Sequence, residues 1–376
     1  MTQAVDWDAL RREFPTLEKC TYLDIARKTI PPRCQQHAVE SYFRDVYDNA
    51  GADAWSADNV ALGRAEIAQL LGAKPNEIAF TKNTTEGLTI AAHGFDLRAG
   101  DNIVLTDMEH VANIWPWKHW QHKGVEIRYA KNRAGRLPLE AFMEQVDART
   151  RVIGVSYVSY LTGERQDIAA LRTLADSVGA LLVVDFTQAA GYLPIEASVA
   201  DFAFSACYKW LLGVTGVAVA YWNRARQPGW SPASAGWYSF APGSRSYDDP
   251  PQLRDDALRF TRGNPAHASA YVLADALDYL AAWDVRDIQS HVQGMTTAML
   301  ERLQALQIPT LTPAEPARHG ASVCIPSPRA QAIVDAMAQR GVQAWNGMGR
   351  IRFSFHGYNA RREVDQAIAA LRAVWA

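Results

Sequence analysis

The chain is punctuated by short, largely apolar runs at 78–81, 102–106, 151–158, 180–184, 201–206 and 217–222, and 125–130 reads as a further strand. Runs of this length, bounded by polar or Gly residues and lacking the alternation of a one-sided strand, predict strands buried on both faces. Segments with helical spacing of apolar residues stand among them at 35–48, 58–71 and 168–178, and Gly72 is placed to end the second. Asn83 with Glu86 three residues later is a capping box ahead of another apolar segment, so a helix is predicted to start there with its free backbone amides exposed. Strands alternating with helices predict an α/β fold, a mostly parallel sheet between two layers of helices. Beyond it come two helices at 266–283 and 286–306, strands near Val323 and Val342, a helix at 329–340 and a closing helix after Asn359. That change of pattern predicts a smaller C-terminal α+β unit.

The stretch 179–222 holds the candidate chemistry. Asp185 ends one apolar run, and in open α/β sheets ligands sit beyond the carboxyl ends of the strands. The next run exits into Tyr208 and Lys209, so a carboxylate and an amine are expected at one edge of the same sheet. An acid there is often no more than a helix N-cap, and a lysine no more than a solvated charge. Together they suit pyridoxal phosphate. The lysine would carry the cofactor as a Schiff base, and the carboxylate would keep the ring nitrogen protonated so that the ring can draw electrons from a substrate's α-carbon. Thr84 and Thr85 at the predicted helix start form a ready anion site.

Length and charge narrow the picture. A chain of 376 residues exceeds the size at which one core stops growing, about 250–300 residues, so a large and a smaller unit are expected. The pattern divides into an N-terminal arm at 1–30 belonging with the small domain, a large domain at 31–265, connecting helices at 266–305 and a small domain at 306–376. A net charge of −2 with acids and bases interspersed argues against nucleic-acid or membrane-surface partners. No apolar run approaches a membrane span and the N-terminus is polar and charged, so a cytoplasmic location is expected. Cys20, Cys34, Cys207 and Cys324 are far apart, which predicts reduced thiols and no metal site.

Several motifs then occur in one order. D-x-x-Q (Asp185, Gln188), D-F-x-F at 201–204 and Y-K-W-L-L-G at 208–213 resemble the core of the class V aminotransferase family of fold type I pyridoxal phosphate enzymes. That family includes cysteine desulfurases, selenocysteine lyases, kynureninases and isopenicillin N epimerase. The resemblance runs from about Tyr22 to the C-terminus. It implies Lys209 as the cofactor lysine, Asp185 as the partner of the ring nitrogen, Gln188 as a donor to the ring hydroxyl, and Thr84 and Thr85 at the phosphate. E-H-x-A-N-x-x-P-W at 109–117 resembles the segment whose His stacks on the pyridine ring, here His110. Asn113 is expected to order that turn, and Trp115 and Trp117 to be core. Tyr208 is assigned to the phosphate, as in kynureninase-like members. R-F-T-R-G-N-P at 259–265 resembles the segment that crosses a dimer interface to the neighbouring cofactor's phosphate, which implies a role for Asn264 and a homodimer with shared active sites. R-x-S-x-x-x-Y-N from Arg352 resembles the motif whose Arg grips the substrate α-carboxylate with its guanidinium fork. Arg27, Tyr160, Trp345 and Trp237, the last in the aromatic-rich loop 228–251, are assigned to the substrate side.

The implied reaction starts from an L-amino acid whose α-proton Lys209 takes. A persulfide-forming desulfurase of this family needs a mobile Cys shortly before the final Arg motif, and 341–350 contains Trp345 and Asn346 but no Cys. The expectation is therefore a lyase or kynureninase-like enzyme acting by elimination or cleavage, and not such a desulfurase. Transamination and epimerisation remain open, since both start from the same deprotonated α-carbon. A non-catalytic cofactor-binding module is disfavoured, because Lys209, Asp185, His110 and Arg352 are all present.

Overall fold

The computed structural model describes residues 5–243 and 250–375. Its strands are β1 (Thr21–Tyr22), β2 (Ile78–Thr81), β3 (Asn102–Thr106), β4 (Glu126–Ala130), β5 (Thr150–Ser156), β6 (Leu181–Asp185), β7 (Phe202–Ala206), β8 (Ala218–Trp222), β9 (Ser322–Pro326), β10 (Val342–Gln343), β11 (Trp345–Gly347) and β12 (Arg350–Ser354). Seven of them form the main sheet, in the order β2-β8-β7-β6-β5-β3-β4. All neighbours in it are parallel except β8, which runs antiparallel to both β2 and β7.

Except at the edge strand β4, which is partly exposed, the sheet is buried on both faces, as its apolar runs require. Val104, Leu182 and Val184 belong to one core, while Ile103, Leu105 and Val183 belong to a second on the opposite face. That division is the two-residue alternation of side chains along a strand. Leu171 and Ala175 of the helix Ile168–Val178 pack into the first core, and Leu88 and Ala91 of the helix Thr84–His93 into the second. Helices do not separate every pair of strands as expected. The segment between β6 and β7 carries only a short 3₁₀ turn, Ala197–Val199, and antiparallel β8 follows β7 through the loop 207–217, which needs no crossover helix.

The C-terminal unit has a three-stranded antiparallel sheet in the order β11-β12-β9, with the helices Ala330–Ala338 and Arg361–Arg372. Strand β1 from the N-terminal arm pairs parallel with β10 of this unit. One core expectation fails: Trp117 is buried, but Trp115 is 59% exposed, with the Lys118 ammonium over its ring. Residues two apart on a helical turn point in different directions, so only one of the two can face the core.

The order of the main sheet reverses at β3, since β4 lies on one side of it and β5 on the other. A crevice therefore opens beyond the carboxyl ends of β3 and β5. Between β6 and β7, the turn after Gln188 must pass close to the chain that carries Lys209. Gly191 makes this possible: its φ is +108°, and a Cβ there would stand 2.3 Å from the Trp210 carbonyl oxygen. Gly191→Ala is expected to lower stability by on the order of 2–3 kcal/mol through backbone strain and displacement of Trp210. An unchanged urea midpoint would show that the turn tolerates a side chain after all.

Candidate active site

Asp185 and Lys209 stand side by side because β6 and β7 pair in parallel, with Asp185 opposite Phe204. Thr187 stitches the two strand exits together. Its amide donates to Asp185 Oδ1 at 2.7 Å, and its hydroxyl accepts the Ala206 amide at 3.0 Å. Asp185 is 6% exposed. Burial, reinforced by the positive Arg352 and opposed by Asp185 and Asp24, pushes the Lys209 amine down to about 8. A lysine in that range is partly neutral near physiological pH, as a nucleophile or base must be.

The wall opposite is the start of the helix Thr84–His93. Asn83 caps it by accepting the Glu86 amide at 2.9 Å, and the Glu86 carboxylate accepts the Lys82 amide at 2.7 Å. Arg262 pairs with Glu86 from outside. With the first turn held in this way, Thr84 and Thr85 line the cavity beside free backbone amides. Tyr208 lines it too, half-buried, its hydroxyl pushed above the ordinary value by burial and then by the nearby negative Asp185.

His110 leaves β3 at the crevice. Its Nδ1 accepts the Ala112 amide at 3.2 Å, which leaves Nε2 to carry the proton of the neutral ring. Desolvation by the cavity walls holds its pKa below the ordinary value, with Lys209 and Arg352 adding to the effect and Asp185 opposing it. The edge of Tyr160 meets this ring at 5.2 Å and 78°. The adjacent Glu109 is buried and ties the strand exits together. Its carboxylate accepts the Ser156 amide at 2.7 Å, the Ser156 hydroxyl at 2.6 Å and the Asn113 side-chain amide at 3.0 Å. Burial raises its pKa against these bonds.

Arg352 enters from β12 and is 3% exposed. Its Nη1 donates to the Tyr160 carbonyl at 3.1 Å, and its guanidinium lies 4.5 Å from the centre of the Trp345 ring. Arg27 borders the cavity and pairs with Asp24 at 3.5 Å. Gln188 also lines it, with Nε2 donating to the Ala26 carbonyl at 3.0 Å.

These groups surround one cavity of about 310 Å³. It brings together Lys209, Asp185, Gln188, Thr84, Thr85, His110, Tyr208, Tyr160, Arg27 and Arg352. A buried carboxylate beside a partly neutral amine, a capped helix start and an imidazole form a donor set that fits pyridoxal phosphate. Two predicted residues are not brought in. Asn264 lies with Lys82 and Arg262 in a cleft on the other side of the helix start, and Trp237 is 56% exposed away from the cavity. Of the loop 228–251 that carries Trp237, residues 244–249 lie outside the described residues. Sequence reasoning gave no role to Glu109, Ser156, Thr187 or Asp24. The available signals were an acid directly before His110 and an acid ending the strand before Arg27; Ser156 and Thr187 act through contacts that only folding creates.

The aminotransferase class-V family model matches residues 21–367. A protein of Methanothermobacter thermautotrophicus named "Probable cysteine desulfurase" is 28% identical, the alignment covering 95% of each chain. A Haloferax volcanii protein named cysteine desulfurase is 29% identical over 98% of this chain and 97% of its own. Among solved structures, the apo structure of cysteine desulfurase from Thermococcus onnurineus NA1 matches with a TM-score of 0.89 at 22% identity, covering 100% of this chain and 99% of that one.

The names of these relatives overturn the expectation of a lyase that is not a persulfide-forming desulfurase. The error was to let one segment decide the reaction. Activation of the substrate depends on the groups at the α-carbon, and the thiol that takes the sulfur as the Cβ–Sγ bond breaks need not come from 341–350. In the structure that segment forms β10 and β11 and presents Trp345 to Arg352.

The lowered pKa of Lys209 has a measurable sign. The unfolded chain binds a proton at this lysine up to about 10.5, the folded one only up to about 8, so stability rises with pH between those values. Thermal denaturation of cofactor-free protein should show wild type gaining stability relative to Lys209→Met between pH 8 and 10.5. A difference that stays flat across that range would place the amine in water.

Proposed function

The chain belongs to the aminotransferase class-V family, whose members use pyridoxal phosphate, and from that premise we propose that it removes the sulfur of L-cysteine or a cysteine-like amino acid, leaving alanine. The observation that carries the reading is the convergence of Lys209, Asp185, His110 and Arg352 in one cavity, in a chain whose relatives are named for this reaction. When bound, the cofactor supplies an electron sink for the substrate's α-carbon.

The residues divide the remaining work. Lys209 would hold the cofactor, and its partly neutral amine would serve as the general base for the α-proton. Asp185 would hold the ring nitrogen, Gln188 the ring hydroxyl, and Thr84, Thr85 and Tyr208 the phosphate. His110 would lie against the ring, with the proton on its Nε2 available to the sulfur side. Arg352 fixes the α-carboxylate, while Arg27, Tyr160 and Trp345 border the substrate's side chain. The balanced reaction is RSH + cysteine giving RSSH + alanine, in which a thiol accepts sulfur as the Cβ–Sγ bond breaks.

A homodimer is part of the proposal. Val39, Phe43, Tyr47, Trp55 and Leu62 are exposed apolar side chains on one stretch of the chain, a natural contact for a second copy. Asn264 would then serve the neighbouring cofactor's phosphate, and Trp237 the neighbouring substrate pocket. The division into an arm at 1–30, a large domain at 31–265, connecting helices at 266–305 and a small domain at 306–376 is retained, and the β1–β10 pairing is consistent with it. No helix among the described residues is long and apolar enough to cross a membrane.

Incubation of the holoenzyme with L-cysteine and dithiothreitol, with alanine and sulfide measured together, is the test. Equal amounts of both are expected, abolished by Lys209→Ala. Arg352→Ala should raise KM by about 10- to 100-fold, the worth of a charge-assisted hydrogen-bonded pair. Amino-group transfer to a keto acid without sulfide, or ammonia and pyruvate in place of alanine, would overturn the reading.

A further inference from the structure

Arg352 is buried with an incomplete set of partners. Nη1 donates to the Tyr160 carbonyl, but Nε makes no hydrogen bond, and Nη2 has Asp24 Oδ1 at 3.7 Å, beyond hydrogen-bonding range. Asp24 is 4% exposed, and its Oδ1 also lacks a hydrogen-bond partner, while Oδ2 sits 3.5 Å from Arg27. Two buried, oppositely charged groups that face each other without closing a hydrogen bond need an explanation, since each unmade bond is costly. Asp24 is fixed from behind. Its backbone bridges Ser354 on β12, and its carbonyl accepts the amides of Arg27 and Lys28. It can therefore neutralise Arg352 electrostatically without filling its fork.

Resting on the reading of Arg352 as the carboxylate anchor, we infer that Asp24 is the resting counter-charge of Arg352, holding the guanidinium in place until the substrate carboxylate displaces it. The buried cation is then never left uncompensated, and the arriving carboxylate competes with Asp24 for the same positive charge. Asp24 acts through Arg352 and is a positioning residue. Burial already raises its carboxyl to about 6 against the pull of Arg352 and Arg27. A second carboxylate on Arg352 weakens that pull, so substrate binding and protonation of Asp24 favour each other, by the same factor in both directions. The other charged or titratable groups around it are Tyr22, Tyr358 and Lys209. The burial-raised tyrosines and Lys209 all titrate above Asp24.

The probe is propionate, a carboxylate without the reacting amine, bound to the holoenzyme and followed by calorimetry between pH 5.5 and 7.5 in buffers of different ionisation enthalpy. Wild type is expected to bind propionate more tightly as pH falls through about 6, with proton uptake. Asp24→Asn is expected to bind it about tenfold more tightly at pH 7.5, the equivalent of one pKa unit on Asp24, and to lose the pH dependence. The wild-type arms stand even where the variant folds poorly. Weaker or unchanged binding in Asp24→Asn, or wild-type binding without proton uptake, overturns the inference and leaves the desulfuration reading intact. Absence of sulfide from cysteine, with propionate behaving as expected, overturns only that reading; propionate binding insensitive to Arg352→Gln overturns the inference and the Arg352 assignment together.

Discussion

Two cations, Lys209 and Arg352, share one mostly buried cavity, and the arrangement around them follows from that. Arg352 lowers the proton affinity of Lys209 on top of its desolvation, Arg352 is itself desolvated with Asp24 opposing that cost, and neither would remain in place without compensation. Asp185 and Asp24 supply it from opposite sides. Asp185 sits on the adjacent strand beside Lys209 and is held by Thr187, so it can face a cofactor ring without moving. Asp24 comes from the far end of the chain and faces Arg352 across a gap. With Arg27 also at its border the cavity keeps a positive excess before any ligand enters, and its anion-binding helix start is an additional positive feature rather than the sole one.

The sheet makes this arrangement possible by aligning strand ends. Parallel β3, β5, β6 and β7 all deliver their carboxyl ends to one edge; β6 ends on Asp185 itself, and β3, β5 and β7 are each followed by a short turn bearing His110, Tyr160 and Lys209 respectively. Fully buried apolar strands cannot shift register without exposing themselves, so these side chains inherit the rigidity of the core. Glu109 completes the alignment by accepting hydrogen bonds from Ser156 at the end of β5 and from Asn113 beyond His110. A buried carboxylate with four donors is an expensive feature to keep in a core unless geometry depends on it.

What could be read from the sequence was local. Six of the seven strands of the main sheet are visible as apolar runs because both faces are buried, β4 shows only as an alternating segment, and Asp185, Lys209, Thr84 and His110 are visible because each stands within a few residues after such a run. Arg352 was legible through a motif on its own strand. The contacts that were not legible join distant segments: Glu109 to Ser156 across two strands, and Asp24 to Arg352 across almost the whole chain. Periodicity carries no information about such pairs. Trp115 failed for a different reason, since apolar composition does not say which side of a helical turn meets the core. The reaction was misread because a residue's absence from one segment was given more weight than the assembly of the cavity.

The N-terminal arm decides how the two halves of the cavity meet. The Thr29 amide donates to the Tyr208 carbonyl at 2.9 Å, and the Ala26 carbonyl accepts from Gln188, so the arm is fastened to the cofactor side. On the other side the Ala26 amide donates to Ser354 Oγ at 3.0 Å, and the Ser354 amide donates to the Leu23 carbonyl at 2.8 Å, which fastens it to the strand carrying Arg352. The separation between Lys209, where the α-proton is handled, and Arg352, where the carboxylate is held, is therefore set by a few residues that belong to neither sheet. An α-amino acid presents its carboxylate and its α-proton at a fixed spacing, and positioning errors of about 1 Å cost orders of magnitude in rate. The short segment Leu23–Thr29, with Asp24 among its residues, thereby governs both the charge and the span of the substrate site.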